Sequence, residues 1–416
     1  MKIFKFGGAS VKDAEGVKNL VRVLRTEGTA DTFIVVSAMG KMTNAFENIV
    51  NAYTSNNPKL KDFLSFVKEF HIELIKKLFD HDREIVLLEI ENRWNELNQF
   101  LKMNNSDNYN FIYDQIVGYG ELFSTKIISH YLRKQEIATT WIDVRDYIKT
   151  NSNYRDATVD WIETTKNIST LNLETLYITQ GFLGADKEGK TTTLGREGSD
   201  FTAAIIAYCV NAKSVTIWKD VEGVLNADPR HFDNPVLLEQ ISYDEAIEMA
   251  FYGASVIHPK TIKPLENKNI PLFVRSFYDL KSKGTGVTKG HVLIPETPCF
   301  ILKEQQILVS VAALDFSFIV ENHISDLFKI LHRYKLKVNL IQNSAIRFSV
   351  CVEDKFNQFS FFLEDLKSDY QVDAVENVRL FTIRHATDEA ISKIEKKGRV
   401  ILKQRAQGTV QFVIKE

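Results

Sequence analysis

Cysteine is scarce in this sequence of 416 residues, and this and similar absences exclude several classes of protein. The three cysteines, Cys209, Cys299 and Cys351, lie far apart and form no C-x-x-C pair, so neither a disulfide framework nor a cysteine metal site is expected. Lysine plus arginine (52) nearly balance aspartate plus glutamate (54), and this near-neutral charge offers no polycationic surface for nucleic acid.

Long apolar runs are missing as well. No run is long enough to cross a membrane, and the first residues lack the extended apolar stretch of a signal peptide. The widely spaced cysteines suit a reducing compartment. We therefore expect a cytoplasmic protein that binds neither nucleic acid nor membrane.

The pattern of apolar residues indicates more than one domain, as does the length of the chain. Residues 1–55 carry strand and helix signals in the order βαβα, which is typical of a parallel sheet covered by helices. Residues 58–135 carry apolar side chains at helical spacing and predict a helical subdomain, after which strand signals resume. We predict a three-layer α/β/α domain with a mainly parallel sheet over residues 1–290.

The C-terminal part of the chain has a different pattern. Residues 281–300 are punctuated by glycines and prolines and have no clear period, which marks a domain boundary, and we place a linker at residues 291–304. Strand and helix signals over about 305–376 follow the order βαββαβ, which predicts a ferredoxin-like α+β unit. The remaining residues, about 377–416, carry too few signals for a second full copy, and we expect an abbreviated second unit there.

The segment from Lys5 to Ser10 is the first candidate for chemistry. A predicted strand runs into Gly7 and Gly8 and restarts as a helix, which leaves backbone N–H groups at the helix start that suit a phosphate. The glycines let the main chain approach an anion, and Lys5 adds a mobile positive charge. The same residues also fit an ordinary strand-to-helix turn, so a second site is needed to decide.

Two later loops could complete a site with this segment. The first contains Arg196, Ser199 and Asp200 and leads into a helix. Its arginine can hold a carboxylate bidentately and its aspartate could position a lysine, although a capped helix with a solvent-facing arginine also fits. The second, Lys219–Arg230, follows a buried type of strand, where α/β folds bind ligands, although it could be a plain turn.

Taken together, these segments resemble the aspartokinases of the amino acid kinase family over residues 1 to about 290, and the remainder resembles their ACT-type regulatory region. The matching motifs, in the family's order, are Lys5–Val11, Ser37–Asn44, Gly118–Glu121, Gln180–Phe182, Thr191–Asp200, Trp218–Arg230 and Phe251–Pro259. The resemblance implies transfer of the ATP γ-phosphoryl group to the side-chain carboxylate of L-aspartate, which gives 4-phospho-L-aspartate, the first step of lysine, threonine and methionine biosynthesis. It also implies Mg²⁺ that bridges the nucleotide phosphates, without a dedicated protein metal site.

The resemblance further implies a role for each matching residue. Lys5 and the amides of Gly7 and Gly8 would hold the transferring phosphoryl group, and Asp200 would orient Lys5. Arg196 would take the α-carboxylate of aspartate. The residues expected to bind the substrate aspartate are Ser37, Thr43, Glu121 (on its ammonium), Arg196 and Ser199. Those expected to bind the nucleotide are Lys5, Gly7, Gly8, Ser10, Lys219, Asp220, Arg230, Ser255 and Lys260.

Several positions depart from the family pattern. Ser255 stands where the family has a lysine that contacts ATP phosphate, and we hypothesise that Lys219 or Lys260 supplies the missing charge. Glu197 replaces a glycine beside the substrate arginine, and Leu225 stands where a tyrosine commonly lines the adenine pocket. Two alternatives follow: a weak or inactive kinase-like amino-acid sensor, and an amino acid kinase with a different carboxylate acceptor.

The C-terminal region is expected to bind an amino-acid effector and to join copies of the chain. In the family, the first loop of this region contains a glycine and binds lysine or threonine. Here residues 315–323 contain no glycine, and Asn339 stands where an aspartate is frequent, so we expect lysine sensitivity to be weak or absent. Unpaired strand edges favour a homodimer or a higher homo-oligomer.

Overall fold

The computed structural model describes residues 1–254, 257–290, 293–315 and 317–415. The chain divides into two compact units. The first comprises Met1–Val224, Leu237–Ile247 and Ser255–Pro295, and the second comprises Leu225–Val236, Glu248–Ala254 and Glu296–Glu416. Within the described residues, no helix combines the length and the apolar character needed to cross a membrane.

Up to residue 288 the chain forms strands and helices, with a run of successive helices between the second and the third strand. In chain order they are β1 (Lys2–Phe6), α1 (Ala14–Glu27), β2 (Thr32–Val36), α2 (Met42–Thr54), α3 (Leu60–Leu78), α4 (Arg83–Met103), α5 (Tyr109–Val117), α6 (Tyr119–Lys134), β3 (Thr140–Trp141), α7 (Val144–Tyr147), α8 (Trp161–Ile168), β4 (Tyr177–Gln180), β5 (Leu183–Ala185), β6 (Thr191–Thr193), α9 (Gly198–Val210), β7 (Ser214–Lys219), β8 (Val224–Leu225), β9 (Leu237–Leu238), β10 (Gln240–Ser242), α10 (Tyr243–Tyr252), α11 (Pro259–Asn267), β11 (Leu272–Ser276) and β12 (Thr285–Thr288).

A sheet of eight strands, counted over the described residues, forms the centre of the first unit. Its order is β10-β12-β11-β7-β1-β2-β4-β3, and neighbouring strands pair in parallel except β11 with β12. Helices α1, α2 and α6 pack on one face, and α9 packs against β1, β2 and β7. The predicted three-layer α/β/α fold with a mainly parallel sheet is confirmed.

Helix α1 shows how local sequence sets these elements. Asp13 caps its N-terminus, where Oδ1 accepts a hydrogen bond from the Gly16 N–H at 2.8 Å. Gly28, at φ 83°, ends the helix and donates its N–H to the Leu24 carbonyl at 2.9 Å. The apolar residues of predicted helical spacing are buried: Val17, Leu20, Val21 and Leu24.

The pleat of β1 and β7 sends two lysines to the same face of the sheet. Successive side chains of a strand point to opposite faces. Phe4, Phe6 and Trp218 join the core with α1, so Lys5 and Lys219 point to the opposite face, which α9 covers. Phe6, the last residue of β1, pairs with Trp218, so the two strands end within one residue of each other. The two lysines therefore emerge together at the carboxyl edge of the sheet.

The elements from residue 299 onward form an α+β arrangement. In chain order they are β13 (Cys299–Ala313), α12 (Glu321–Arg333), β14 (Lys337–Asn343), β15 (Phe348–Glu353), α13 (Phe359–Lys367), β16 (Tyr370–Arg384), α14 (Asp388–Glu395), β17 (Arg399–Ala406) and β18 (Thr409–Lys415).

The second unit contains an antiparallel sheet of order β14-β15-β13-β16-β18-β17. Two strands of 15 residues, β13 and β16, run through both halves of this sheet. Residues 308–313 pair with residues 370–375 in one half, and residues 299–303 pair with residues 380–384 in the other. The first half has the βαββαβ order, and the predicted ferredoxin-like α+β fold is confirmed.

The helices cover the two halves of this sheet separately. Helices α12 and α13 pack on the first half through Leu327 and Phe362, and α14 packs on the second half through Ile391 and Ile394. Strand β13 begins at Cys299, within the stretch that the sequence suggested as a linker. The second half therefore obtains a strand from residues that precede the first half in the chain.

Candidate active site

A cavity of about 490 Å³ in the first unit lies where β1, β2 and β7 end. The predicted site residues that line it are Lys5, Gly8, Ser37, Thr43, Glu121, Arg196, Ser199, Asp200 and Lys219. The other lining residues are Ala38, Gly40, Tyr113, Arg155, Phe182, Gly195, Glu197 and Gly198. Segments that are far apart in the sequence thus meet at one site.

Two lysines converge on one buried carboxylate in this cavity. Lys5 Nζ lies 2.6 Å from Asp200 Oδ1, and Lys219 Nζ lies 3.7 Å from Asp200 Oδ2. Asp200 stands in the first turn of α9, where the helix dipole favours negative charge. Burial alone would raise the pKa of Asp200, but the ammonium groups of Lys5 and Lys219 outweigh burial and lower this pKa. One carboxylate therefore holds two positive charges at the same place.

The turn after β1 requires glycine at position 8. A Cβ on Gly8 would lie 2.7 Å from the Ala38 carbonyl oxygen and 2.8 Å from that of Gly40. The Gly40 N–H donates to the Gly8 carbonyl at 2.9 Å. The turn is thereby joined closely to the loop after β2; Ser37 in this loop and Thr43 in the first turn of α2 line the cavity.

Glu121 brings a second buried carboxylate to the cavity from the first turn of α6. Its Oε1 accepts a hydrogen bond from the Ala38 N–H at 3.2 Å, whereas Oε2 has no hydrogen-bond partner within the described chain. Burial raises the pKa of Glu121 to about 8, although the Ala38 N–H and the charge of Lys5 oppose this rise. Burying an unpartnered carboxylate oxygen is costly, so this site favours a ligand that brings a cationic donor.

The loop before α9 presents a guanidinium to the same cavity. Arg196 is exposed, and none of the ion pairs among the described residues involves it. Its neighbour Glu197 adopts φ 53°, in the left-handed region that favours glycine, and its buried Oε2 has no hydrogen-bond partner in the described chain. Ser199 is buried and lines the cavity one turn further on.

Sequence reasoning gave no role to three lining side chains. Tyr113 and Arg155 stack, with the guanidinium carbon 4.3 Å from the ring centroid. Arg155 and Phe182 adopt φ values of 72° and 71°, which the sequence does not reveal for such residues. Phe182 belongs to a motif that carries the family resemblance and could have been found through it, whereas Arg155 and Tyr113 carry no sequence signal.

Several predicted residues lie outside the lining of this cavity. The Gly7 carbonyl accepts the Ser10 N–H at 3.0 Å, and Ser10 Oγ donates to a carbonyl of β7 at 3.1 Å, so both residues shape the turn. Asp220 is exposed directly after β7. Lys260 forms an ion pair with Asp156. Lys219 and Lys260 are the two lysines that could replace the family's missing lysine. Of these, Lys219 lines the cavity and Lys260 does not.

The remaining nucleotide-binding predictions fall elsewhere. Arg230 belongs to the second unit, where it is exposed and its Nη2 lies 2.6 Å from Asp228 Oδ2. That hydrogen bond lowers the pKa of Asp228. Ser255 lies outside the described residues. Over the part of the chain that is described, no group of three or more His, Cys, Asp or Glu side chains is placed to hold a metal ion.

Comparison with known proteins gives the family. The model of the amino acid kinase family matches residues 1–276. The chain belongs to this family. Bifunctional aspartokinase/homoserine dehydrogenase 2 of Arabidopsis thaliana is 30% identical over 399 residues, which cover 92% of this chain and 43% of that protein. Lysine-sensitive aspartokinase 3 of Escherichia coli is 30% identical over 356 residues, 84% of this chain and 78% of that one. Within the amino acid kinases, the chain therefore belongs with the aspartokinases.

The chain spans less than half the length of several bifunctional relatives, from 32% to 47% of the first four. Solved structures extend the likeness to the whole chain. E. coli aspartokinase III in complex with lysine and aspartate (T-state) matches with a TM-score of 0.83 at 26% identity, covering 100% of this chain and 96% of that one. The same enzyme in complex with aspartate and ADP (R-state) matches with a TM-score of 0.82 at 25% identity and the same coverage.

Proposed function

We propose that the chain is an aspartate kinase, which transfers the γ-phosphoryl group of ATP to the side-chain carboxylate of L-aspartate and forms 4-phospho-L-aspartate. The observation that carries this proposal is a single cavity in which Lys5 and Lys219 face Asp200 while Glu121 and Arg196 offer opposite charges for an amino acid. The solved relative that contains aspartate and ADP supports the same substrates.

At the phosphoryl end, the reaction needs positive charge rather than a base. The side-chain carboxylate of aspartate is ionised at pH 7 and is itself the nucleophile. One of its oxygens attacks the γ-phosphorus of MgATP, the bond from this phosphorus to the bridging oxygen breaks, and ADP leaves. Lys5 and Lys219 would neutralise charge on the transferring group, and the glycine turn lets backbone N–H groups approach it.

At the amino acid end, the cavity matches the groups on the α-carbon. The Glu121 carboxylate would bind the ammonium, and the Arg196 guanidinium would bind the α-carboxylate bidentately. The hydroxyl groups of Ser37, Thr43 and Ser199 would donate to the remaining carboxylate oxygens. These contacts fix the direction in which the side-chain carboxylate approaches the phosphoryl group, and such positioning is a large part of catalysis for two anions.

Other parts of the proposal rest on the resemblance. The nucleotide contacts of Ser10, Asp220, Arg230, Ser255 and Lys260 stay predictions. We assign catalysis to residues 1–290 and regulation to residues 305–416. We also propose that the protein works in the cytoplasm as a homo-oligomer, at the first step of lysine, threonine and methionine biosynthesis.

Formation of aspartyl hydroxamate is the direct test of this function. The purified chain with MgATP, hydroxylamine and L-aspartate should give hydroxamate, and L-glutamate in place of aspartate should give none. Formation of hydroxamate with glutamate would favour the alternative of an amino acid kinase with a different carboxylate acceptor. No product with either, combined with calorimetric binding of aspartate, would favour an amino-acid sensor that has lost turnover.

Lys219 is expected to supply the charge that the family's lysine gives at position 255. Lys219→Ala should lower kcat by about 10²-fold, because it removes a cation beside the transferring phosphoryl group. Lys260→Ala removes the same charge from an ion pair outside the cavity lining and should lower kcat by less than about threefold. Steady-state kinetics with varied MgATP compares the two variants. The reverse ranking would assign the missing charge to Lys260.

Lysine is expected to bind weakly to the second unit. The Asn339 side chain is already engaged, since Oδ1 accepts from Lys303 Nζ at 2.8 Å and Nδ2 donates to Gln306 Oε1 at 2.7 Å. An effector ammonium would find no negative charge on this amide. Isothermal titration calorimetry with lysine and with threonine should give Kd values above about 1 mM. E. coli aspartokinase III is the positive control for lysine, and submillimolar binding to this chain would contradict the prediction.

A further inference from the structure

Arg155 adopts a backbone conformation that arginine normally avoids. Its φ of 72° lies in the left-handed region, where a Cβ is unfavourable and glycine is preferred. Its side chain lines the cavity beside Tyr113. Strained residues persist only where their surroundings hold them, and they cluster at ligand-binding sites. The conformation of Arg155 therefore suggests that neighbouring residues hold it in place and that its side chain binds a ligand.

A buried carboxylate holds Arg155 in this conformation. The Arg155 N–H lies 3.2 Å from Asp114 Oδ1 and 3.0 Å from Oδ2. Asp114, which is fully buried, also accepts from the Thr193 N–H at 2.9 Å and from Thr193 Oγ1 at 2.7 Å. Thr193 is the last residue of β6 and precedes the loop that carries Arg196. One carboxylate thus ties two arginine-bearing loops together.

The Arg155 guanidinium is oriented by aromatic rings but only weakly paired. Its central carbon lies 4.3 Å from the Tyr113 ring centroid and 5.5 Å from that of Tyr109. Its Nη2 lies 3.9 Å from Glu47 Oε1, and the two side chains are 41% and 39% exposed. An exposed pair at this distance contributes little. The donors of the guanidinium therefore remain available to an anion in the cavity.

We infer that Arg155 is a second substrate-binding arginine, which binds the α-carboxylate of the acceptor amino acid together with Arg196. The inference rests on the proposed function and adds a second guanidinium to the groups that recognise an α-amino acid. Glu121, Tyr113 and Arg155 line the same cavity, and Arg155 stacks on the Tyr113 ring. The α-carboxylate is attached to the same carbon as the ammonium that Glu121 would hold, so it enters the cavity that Arg155 lines.

The nucleotide phosphates are the competing ligand for Arg155. Lys5 and Lys219 already place two cations at Asp200, where we propose that the phosphoryl group is transferred, whereas Arg155 is joined through Asp114 to Thr193, which leads to the Arg196 loop. A phosphate contact would raise the KM for ATP when Arg155 is replaced. If Arg155 contacts the α-carboxylate, its replacement raises the KM for aspartate. The KM for an acceptor that lacks the α-carboxylate is then little affected.

Kinetics of Arg155→Gly with two acceptors test the inference. The variant removes the guanidinium and suits the left-handed backbone, so the loop should keep its shape. We expect the KM for L-aspartate to rise about tenfold or more, with kcat and the KM for ATP unchanged. The KM for L-aspartate α-amide, which lacks the α-carboxylate, should rise much less. The ratio of the KM for the α-amide to the KM for aspartate should therefore be smaller in the variant than in the wild type.

Two further variants serve as controls. Arg155→Lys keeps the charge without the planar fork, and its KM for aspartate should fall between those of the wild type and Arg155→Gly. Arg93→Ala is the matched control, because Arg93 also lies over an aromatic ring, 5.9 Å from Trp141, but does not line the cavity. Its KM values should equal those of the wild type. Thermal unfolding of each variant separates loss of binding from loss of folding.

The outcomes distinguish this inference from the proposed function. An equal rise in KM for both acceptors, or a rise in the KM for ATP alone, would overturn the α-carboxylate contact. Turnover of Arg155→Gly with wild-type KM values would overturn the inference and leave the function standing. If the wild type does not turn over but binds L-aspartate in a calorimeter, and Arg155→Gly weakens that binding, the function fails and the inference stands.

Discussion

Lys5→Met should lower kcat for phosphoryl transfer by about 10³-fold or more, with little change in the KM for aspartate. Lys5 Nζ lies 2.6 Å from Asp200, and both side chains are nearly buried. Charges interact more strongly where water is excluded, so water would compensate little for the loss of the Lys5 ammonium. Lys219 is the nearest remaining cation, 3.7 Å from the same carboxylate. Hydroxamate formation over a range of MgATP concentrations measures the effect, and retention of more than a tenth of wild-type kcat would refute it.

The same change should destabilise the fold, and a double variant separates the two effects. Removing Lys5 leaves the buried Asp200 carboxylate with a single, more distant partner, which costs on the order of 3 kcal/mol. Lys5→Met combined with Asp200→Asn removes both charges and should recover most of the unfolding free energy while kcat stays low. Chemical denaturation of the single and double variants provides the measurement. Recovery of activity in the double variant would show that Lys5 acts only through stability.

Glu121→Gln should raise the KM for aspartate by about 10²-fold, because it removes the buried carboxylate that we propose binds the substrate ammonium. The wild type should also show a pH dependence that the variant lacks. The pKa of Glu121 is raised to about 8 in the empty site, so below pH 8 most molecules must lose a proton before they bind the ammonium. The kcat/KM for aspartate should then fall by about tenfold per pH unit below 8 in the wild type only.

The stability of the protein without substrate should change with pH in the opposite sense. The pKa of Glu121 is higher in the folded chain, about 8, than the ordinary value of 4.5, so the folded chain keeps a proton that the unfolded chain has released between these values. This stabilising contribution is complete below about pH 4.5 and is lost as the pH rises to 8. Glu121→Gln should therefore gain thermal stability over the wild type at pH 9 and not at pH 4. Equal shifts at both pH values would contradict this assignment.

Local signals made much of the first unit predictable. The glycine pair, the Asp13 cap and the spacing of apolar residues define the turn after β1 and helix α1 within a few neighbouring residues. The alternation of Phe4, Lys5 and Phe6 likewise sets the face on which Lys5 lies. The structure then shows what these short patterns could not, namely that Lys5 and Lys219 share one carboxylate.

Long-range contacts explain what the sequence could not predict. The conformation of Arg155 depends on hydrogen bonds to Asp114, which lies 41 residues earlier. The pairing of Lys260 with Asp156 spans 104 residues, and the sequence does not reveal that Lys219 lines the cavity whereas Lys260 does not. Strand β17 carries three consecutive apolar residues, from Val400 to Leu402, instead of a long alternation, and it is an outer strand of its sheet with Leu402 as its buried residue.

The strands β13 and β16 run through both halves of the second unit, so we expect the two halves to unfold together. Residues 299–303 have their pairing partners in residues 380–384, so a chain shortened after the first half would leave the start of β13 without its partner in β16. If one half unfolded alone, β13 and β16 would lose hydrogen bonds in that half while they remained paired in the other half. A small molecule that binds one half therefore raises the melting temperature of both.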